Sequence, residues 1–180
     1  MRYPALTCDA APGPRPCPSL PGDPSGPHPG RTSPDLFVTR LGPDRWRIAA
    51  RLPDRGLDLV VFLAPAEGSV VRLKACGEGG YAVAAAGNLG EAGAANLGDC
   101  LLEALERGAA RLGLEVRGTT ADASIGASAV LESFGRLTAR LGGRPSLAIG
   151  GVGQDAQTLR RAFARGAADA AANTARRRRP

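Results

Sequence analysis

The sequence predicts an α+β fold in which two core helices pack on antiparallel sheets. Segments rich in Val and Leu, with alternating apolar and polar residues, fill most of the stretch from residue 35 to residue 75. Two later stretches place apolar residues at helical spacing. The predicted order of strands, helix, strands and helix is typical of α+β domains, and 180 residues with 43% hydrophobic residues are enough for one domain with its own core.

Composition divides the chain into three parts. Residues 1–34 contain 10 of the 15 prolines and show no apolar periodicity, so we expect a disordered arm. We expect a single domain over 35–175 and a basic tail at 176–180. No apolar run suits a secretory signal or a membrane helix, and the sequence therefore predicts a cytoplasmic protein without a membrane partner.

The first predicted strands form a hairpin. The segment DLFVTRLGPDRWRIAARL has a turn at 42–44 and offers Phe37, Trp46 and Ile48 to the core. LDLVVFLAP and SVVRLKA predict two further strands. The glycine-rich segment CGEGGYAVAAAGNLGEAG is ambiguous and matches no phosphate-binding motif, so no cofactor is predicted.

The segment ANLGDCLLEALERGAARLGLEV is predicted to be an amphipathic helix. Asn96 suits the N-cap, Asp99 follows at the spacing of a capping box, and Gly113 ends the helix. Cys100 then falls in the first turn or just past it. The apolar stripe is Leu97, Leu101, Leu102, Leu105, Ala109 and Leu112.

Beyond Gly118 the sequence predicts strands again and then a second helix. TTADASIGAS and AVLESFGRLTARLGG are interpreted as a strand pair, and RPSLAIGGVGQ as a loop or short strand. Asp155 is predicted to cap the second helix, whose arginines at 160, 161 and 165 point outward. Its apolar stripe is Ala156, Leu159, Phe163, Ala167 and Ala170.

From residue 96 to residue 175 the chain resembles the second half of the OsmC/Ohr family of thiol-dependent peroxide reductases. The resemblance lies in a helix cysteine followed by LLEALERGAARLGLEV, a strand pair, and DAQTLRRAFARGAADAAANTA. It implies an intertwined homodimer in which the thiolate of Cys100 attacks a peroxide and becomes a sulfenic acid. A helix N-terminus would favour that thiolate. Because residues 167–174 contain no resolving cysteine, an external dithiol would have to complete the cycle.

The resemblance also implies two residues that support the thiolate. The first is an arginine from the early strands, for which Arg47 is the candidate and Arg45 and Arg51 are alternatives. The second is a glutamate ahead of the cysteine helix, for which Glu91 is the candidate. Asp99 argues against a Cys100 thiolate, since a neighbouring negative charge disfavours ionisation of the thiol.

Other interpretations of the same residues remain open. A cysteine among leucines is commonly a small buried hydrophobe, and the chain would then be a non-catalytic domain of the same fold that binds a small apolar ligand or a partner. Cys76 is the other thiol in the predicted domain and either resolves Cys100 or sits in a loop.

Nucleic-acid and metal sites are weakly indicated. Four arginines at 176–179 supply most of the net charge of +6, so we do not expect nucleic acid as a partner. GGVGQDAQTLRRAFARG is similar to a turn that enters a basic recognition helix, but a predicted strand precedes it. Cys8, Cys17 and His28 lie in the arm at a spacing that does not suit zinc, and no metal is predicted.

Overall fold

The computed structural model describes residues 35–52, 57–117, 123–151 and 154–177. The strands in this part are β1 Asp35–Gly42, β2 Arg45–Leu52, β3 Leu57–Ala64, β4 Ser69–Ala75, β5 Gly80–Ala86, β6 Arg111–Arg117 and β7 Ser146–Gly150. The helices are α1 Glu91–Glu106, α2 Ala123–Arg140 and α3 Gln154–Arg177. The predicted arm at 1–34, with Cys8, Cys17 and His28, lies outside the described residues.

The seven strands form one sheet whose order follows the sequence from β1 to β7. Neighbours from β1 to β5 are antiparallel, whereas β5, β6 and β7 run parallel. The α+β class is confirmed, but the predicted purely antiparallel sheet is wrong. The physical reason is that α1 and α2 are crossover connections, each of which returns the chain to start the next strand in the same direction.

Two elements differ from the sequence prediction. The ambiguous glycine-rich segment contains β5, in which Val83 and Ala85 are buried. The predicted strand pair after residue 118 is α2, a helix with a buried stripe at helical spacing, so the fold has three helices in the described part rather than two. That stripe is Ala127, Leu131, Phe134 and Thr138.

Helix α1 begins six residues earlier than predicted. Gly90 is its N-cap and makes no side-chain capping bond. The carboxylate of Glu67, which ends a short 3₁₀ turn, accepts hydrogen bonds from the backbone N–H groups of Ala92 at 2.9 Å and Gly93 at 2.7 Å. Asn96 therefore lies inside the helix. The first free N–H groups of α1 bond to Glu67, a residue distant in sequence.

The end of α1 also differs. The helix stops at Glu106, and the chain reverses through Gly108, whose φ of 78° lies in the left-handed region. Gly113, predicted to end the helix, is in β6.

The last helix is confirmed. Ala156, Leu159 and Ala170 are buried on α3 as the predicted stripe requires. Asp155 lies one residue inside the helix, which continues two residues past the predicted domain end at 175. Among the described helices, none combines the length and apolar character that crossing a membrane requires.

The core lies between the helices and one face of the sheet. Phe62 of β3 is buried on this helix-side face. Its register partner in β2, Arg47, lies on the same face. Trp46 and Ile48, predicted for the core, alternate with Arg47 and lie on the opposite, open face. Phe37 is on the helix side but is 61% exposed, because β1 lies at the sheet edge beyond the helices.

Candidate functional site

Cys100 lies in the middle of α1 and is fully buried in the core. It follows nine helical residues, and its exposure is 0%. The predicted position in the first helical turn is therefore wrong, because Glu67 extends the helix backward to Glu91. The favourable field of a helix N-terminus decays within its first turn, so it does not reach this thiol.

The surroundings of Cys100 favour the neutral thiol. Burial raises the pKa of the Cys100 thiol strongly, and the negative charges of Glu103 and Asp99 raise it further, while Arg107 partly opposes them. The unfavourable effect expected of Asp99 is thus present. A neutral buried thiol is a poor nucleophile, since the thiolate is the reactive form.

The two predicted supporting residues do not meet at Cys100. Glu91 is exposed at the first position of α1, about 13 Å away along the axis at about 1.5 Å per residue. Arg47 donates both Nε and Nη2 to the carboxylate of Glu103, with Nε–Oε2 at 2.8 Å. The alternative Arg51 is exposed.

Arg47 belongs to a set of charged residues that ties α1 to strands β2 and β3. We call this set the strand–helix network; its members are Arg45, Arg47, Asp58, Asp99, Glu103 and Arg107. Arg45 pairs with Asp99 and also donates to the buried Asn96, with Nε–Oδ1 at 2.9 Å. Arg107, at the C-terminal end of α1, forms ion pairs with both Asp58 of β3 and Glu103 of α1.

Glu103 is the centre of the strand–helix network. Its burial favours the neutral acid, but hydrogen bonds from Arg47 and Arg107 outweigh burial and hold its pKa below the usual value. The pKa of Arg47 is raised, chiefly by the hydrogen bond to Glu103. Each carboxylate in the network has a cationic partner, which suits a structural role and leaves no free base beside Cys100. The i, i+4 spacing of Glu103 and Arg107 on a helix indicates their pairing from sequence alone. Their partners on the strands, Arg47 and Asp58, are far away in sequence and follow no such spacing.

A groove with a mainly apolar lining lies between α1 and α2. Its volume is about 360 Å³. It is lined by Gly98, Leu101, Leu102, Ala129, Val130, Ser133, Phe134 and Leu137. Leu101 is fully buried, whereas Leu102 is 47% exposed. Sequence reasoning missed this α1–α2 groove, because five of its eight lining residues come from a segment that was interpreted as strands.

Gly98 leaves room in the α1–α2 groove. A Cβ atom placed on Gly98 would lie 3.7 Å from Cγ1 of Val130, which is an ordinary contact. Since ligand sites commonly have volumes of about 300 to 1,000 Å³, the groove has the size of a site for a small molecule. In the described residues no group of three or more Cys, His, Asp or Glu side chains is placed to hold a metal ion.

In comparisons with known proteins, no family model, no curated protein and no solved structure matches the chain. The OsmC/Ohr resemblance therefore rests on the quoted residues alone. The strand pair that formed part of the resemblance is helix α2 in the structure, and Cys100 lies in the middle of α1 instead of near its start.

Proposed function

We propose that the chain is a non-catalytic binding domain that holds a small apolar ligand in the α1–α2 groove. The observation that carries the proposal is the groove itself, in which Ser133 is the single lining residue with a polar side chain. Leu102 stands 47% exposed at its rim. Covering such a surface with an apolar molecule is favourable, since each square ångström removed from water contributes about 25 cal/mol.

The lining limits the chemistry of the ligand. A charged group would lose its hydration in the groove and find no ionic partner among the lining side chains. The hydroxyl of Ser133 can form a hydrogen bond with one polar group of the ligand. We therefore expect an uncharged aliphatic or single-ring compound with at most one hydroxyl, carbonyl or N–H group.

Titration with hexanol and indole, followed by amide chemical shifts, tests this proposal. We expect shifts concentrated on residues that line the groove. Gly98→Leu fills the groove and should weaken binding at least tenfold. Gly113→Leu is the matched control, because a Cβ at Gly113 has open space around it and lies away from the groove.

Two results would contradict the binding proposal. The first is the absence of any groove shift with either compound. The second is equal affinity in Gly98→Leu and the wild type, because the ligand would then bind elsewhere.

A thiol peroxidase is the function that the resemblance implies, and the burial and raised pKa of Cys100 do not favour it. Iodoacetamide should alkylate Cys100 slowly in folded protein that carries Cys8→Ser, Cys17→Ser and Cys76→Ser. Fast alkylation, together with dithiol-dependent hydroperoxide consumption that Cys100→Ser abolishes, would replace the binding proposal with the enzyme.

We also propose that the chain forms a homodimer in the cytoplasm. The exposed apolar side chains of β1 support the dimer: Leu36 is 60% exposed, Phe37 61% and Val38 57%. Light scattering should give twice the mass of 18.4 kDa. A mass of one chain at tens of micromolar would end the dimer proposal and leave the groove proposal standing.

A further inference from the structure

Strand β1 is an edge strand with unusual properties. It is the first strand of the sheet and pairs with β2 alone within the described residues. Seven of its eight residues are exposed, and it is free of the lysines and prolines that commonly protect edges. Its one irregularity, between Arg40 and Gly42, comes at its end.

The opposite edge of the sheet is covered at its carboxyl end. At β7, Arg160 of α3 donates Nε at 2.9 Å and Nη2 at 2.7 Å to the carbonyl oxygen of Ile149, and Nη2 at 3.2 Å to that of Gly151. A helix therefore covers the end of β7, while the helices stop short of β1. The difference marks β1 as the edge that is left to pair with another strand.

We infer that β1 pairs antiparallel with β1 of a second copy, so that the two sheets become one continuous sheet. This inference rests on the homodimer proposed above and is independent of the groove. Two identical antiparallel edges related by a two-fold axis perpendicular to the sheet satisfy each other's N–H and C=O groups. Both helix layers then lie on the same side.

The side chains of β1 select a register. A pairing centred on Phe37 places the two Phe37 rings opposite each other and Leu36 opposite Val38 of the partner, so that apolar residues meet on both faces. The antiparallel direction also separates the two Asp35 carboxylates, which a parallel pairing would bring together. The edge is therefore complementary to itself.

The open face of the sheet is a poorer surface for a second copy. Its centre is apolar, with Leu59, Val61 and Leu63 of β3. However, Arg72 and Lys74 stand on the same face, and a face-to-face dimer would set these cations against their copies. The β1 edge carries no such repulsion.

The size of the contact sets its strength. A pairing centred on Phe37 joins residues 35–39 of each copy, and these five residues span about 17 Å of strand. With three largely exposed apolar side chains from each copy, the contact falls at the low end of stable interfaces, about 1,200 Å² in total. We expect a dimer in exchange with monomer at micromolar concentrations.

Sedimentation of the full chain tests the interface. Phe37→Lys should lower the mass from two chains to one, while circular dichroism shows an unchanged fold because Phe37 is largely exposed. Ile125→Lys is the matched control: Ile125 is 71% exposed on α2, and its replacement should leave the dimer intact.

Cross-linking tests the register without relying on a disruptive variant. In protein that carries Cys8→Ser, Cys17→Ser and Cys76→Ser, Phe37→Cys should be joined to its copy by a short bis-maleimide, whereas Ile125→Cys should not.

The outcomes separate the two proposals. A wild-type monomer overturns both the dimer and the β1 interface, and protection of β1 amides from hydrogen exchange in that monomer would assign the edge to residues 1–34. A dimer that survives Phe37→Lys, and that Phe37→Cys does not cross-link, overturns the β1 interface alone.

Discussion

Helix α2 meets its two neighbouring helices in opposite ways, although a glycine lies at each contact. Against α3, a Cβ on Gly166 would lie 2.7 Å from the carbonyl carbon of Glu132 and would overlap its oxygen. A Cβ on Gly135 would overlap the carbonyl oxygen of Phe163 in the same way. Against α1, the nearest atom to a Cβ on Gly98 is a side-chain carbon of Val130 at 3.7 Å.

The same residue type therefore has two uses in this fold. At the α2–α3 crossing, glycine allows two backbones to touch, and any side chain is excluded. At Gly98 in the α1–α2 contact, glycine leaves space that no neighbour fills, and this space is part of the groove. Nearer the start of α2 the two helices are close, since a Cβ on Gly126 would lie 3.0 Å from Cβ of Ala94. Phe134 takes part in both, since its ring lies 6.4 Å from that of Phe163 and also lines the groove. Helix α2, which packs closely against α3, thus forms one wall of the proposed ligand site.

Gly166→Ala would test the backbone contact most severely. The added methyl group meets a backbone carbonyl, which cannot rotate away as a flexible side chain does, so the helices must separate. We expect a loss of about 3 kcal/mol or more of unfolding free energy, measured by urea denaturation. A variant as stable as the wild type would show that α2 and α3 do not cross at this distance.

Glu103→Gln tests the contact between α1 and the sheet. There the strand–helix network, and not a neighbouring helix, holds α1. Removing the charge leaves Arg47 and Arg107 without their shared partner. We expect a loss of about 1 to 2 kcal/mol at neutral pH, less than for a fully buried pair, because both arginines are about a quarter exposed.

The pH dependence follows from the lowered pKa of Glu103. Its contribution to stability is fully present above the unfolded pKa of about 4.3 and is lost as the pH falls through the lower folded pKa. Melting temperatures between neutral pH and pH 3 should fall less steeply in Glu103→Gln than in the wild type. The control is Glu106→Gln, at an exposed position three residues along the chain. Its melting temperature should fall with decreasing pH as steeply as that of the wild type.

Glu67→Ala tests the cap that fixes where α1 begins. The carboxylate accepts two N–H groups at the helix start, and its loss should cost about 1 kcal/mol in thermal denaturation. If stability is unchanged, water satisfies those groups equally well, and Glu67 does not determine the start of α1.

The sequence predicted the regions whose side chains show a strong local period. Strands β2 and β4 alternate apolar with polar residues, β3 is rich in Val and Leu, and α3 repeats apolar residues every three or four positions. Helix α2 was missed because Ala127 and Thr138 carry part of its buried stripe, while Val130 and Ile125 give it a strand-like composition. Strand β5 was missed because its residues are mostly alanine and glycine.

The candidate site could be predicted only in part, for a related reason. Cys100 was identified from its place among leucines, but its depth in α1 depends on Glu67, which is 24 residues before Glu91 and is visible to no local pattern. Arg47 was predicted to support the Cys100 thiolate, whereas its partner in the structure is Glu103, and that pairing depends on how β2 lies against α1. Long-range contacts set the chemistry here.

Gly98→Ala gives the smallest effect and the sharpest contrast with Gly166→Ala. Gly98 lies inside α1, where alanine is favoured over glycine by up to about 1 kcal/mol, and its Cβ would make only ordinary contacts. We therefore expect thermal denaturation to show a gain of about 0.5 to 1 kcal/mol, with ligand affinity reduced less than in Gly98→Leu. Gly93→Ala in the same helix is the control that should lose stability, because its Cβ would lie 2.7 Å from Oγ of Ser69 and 2.8 Å from the carbonyl oxygen of Asn88. A loss of stability in Gly98→Ala as well would mean that α1 and α2 are packed closely at this point and that the groove does not exist in solution.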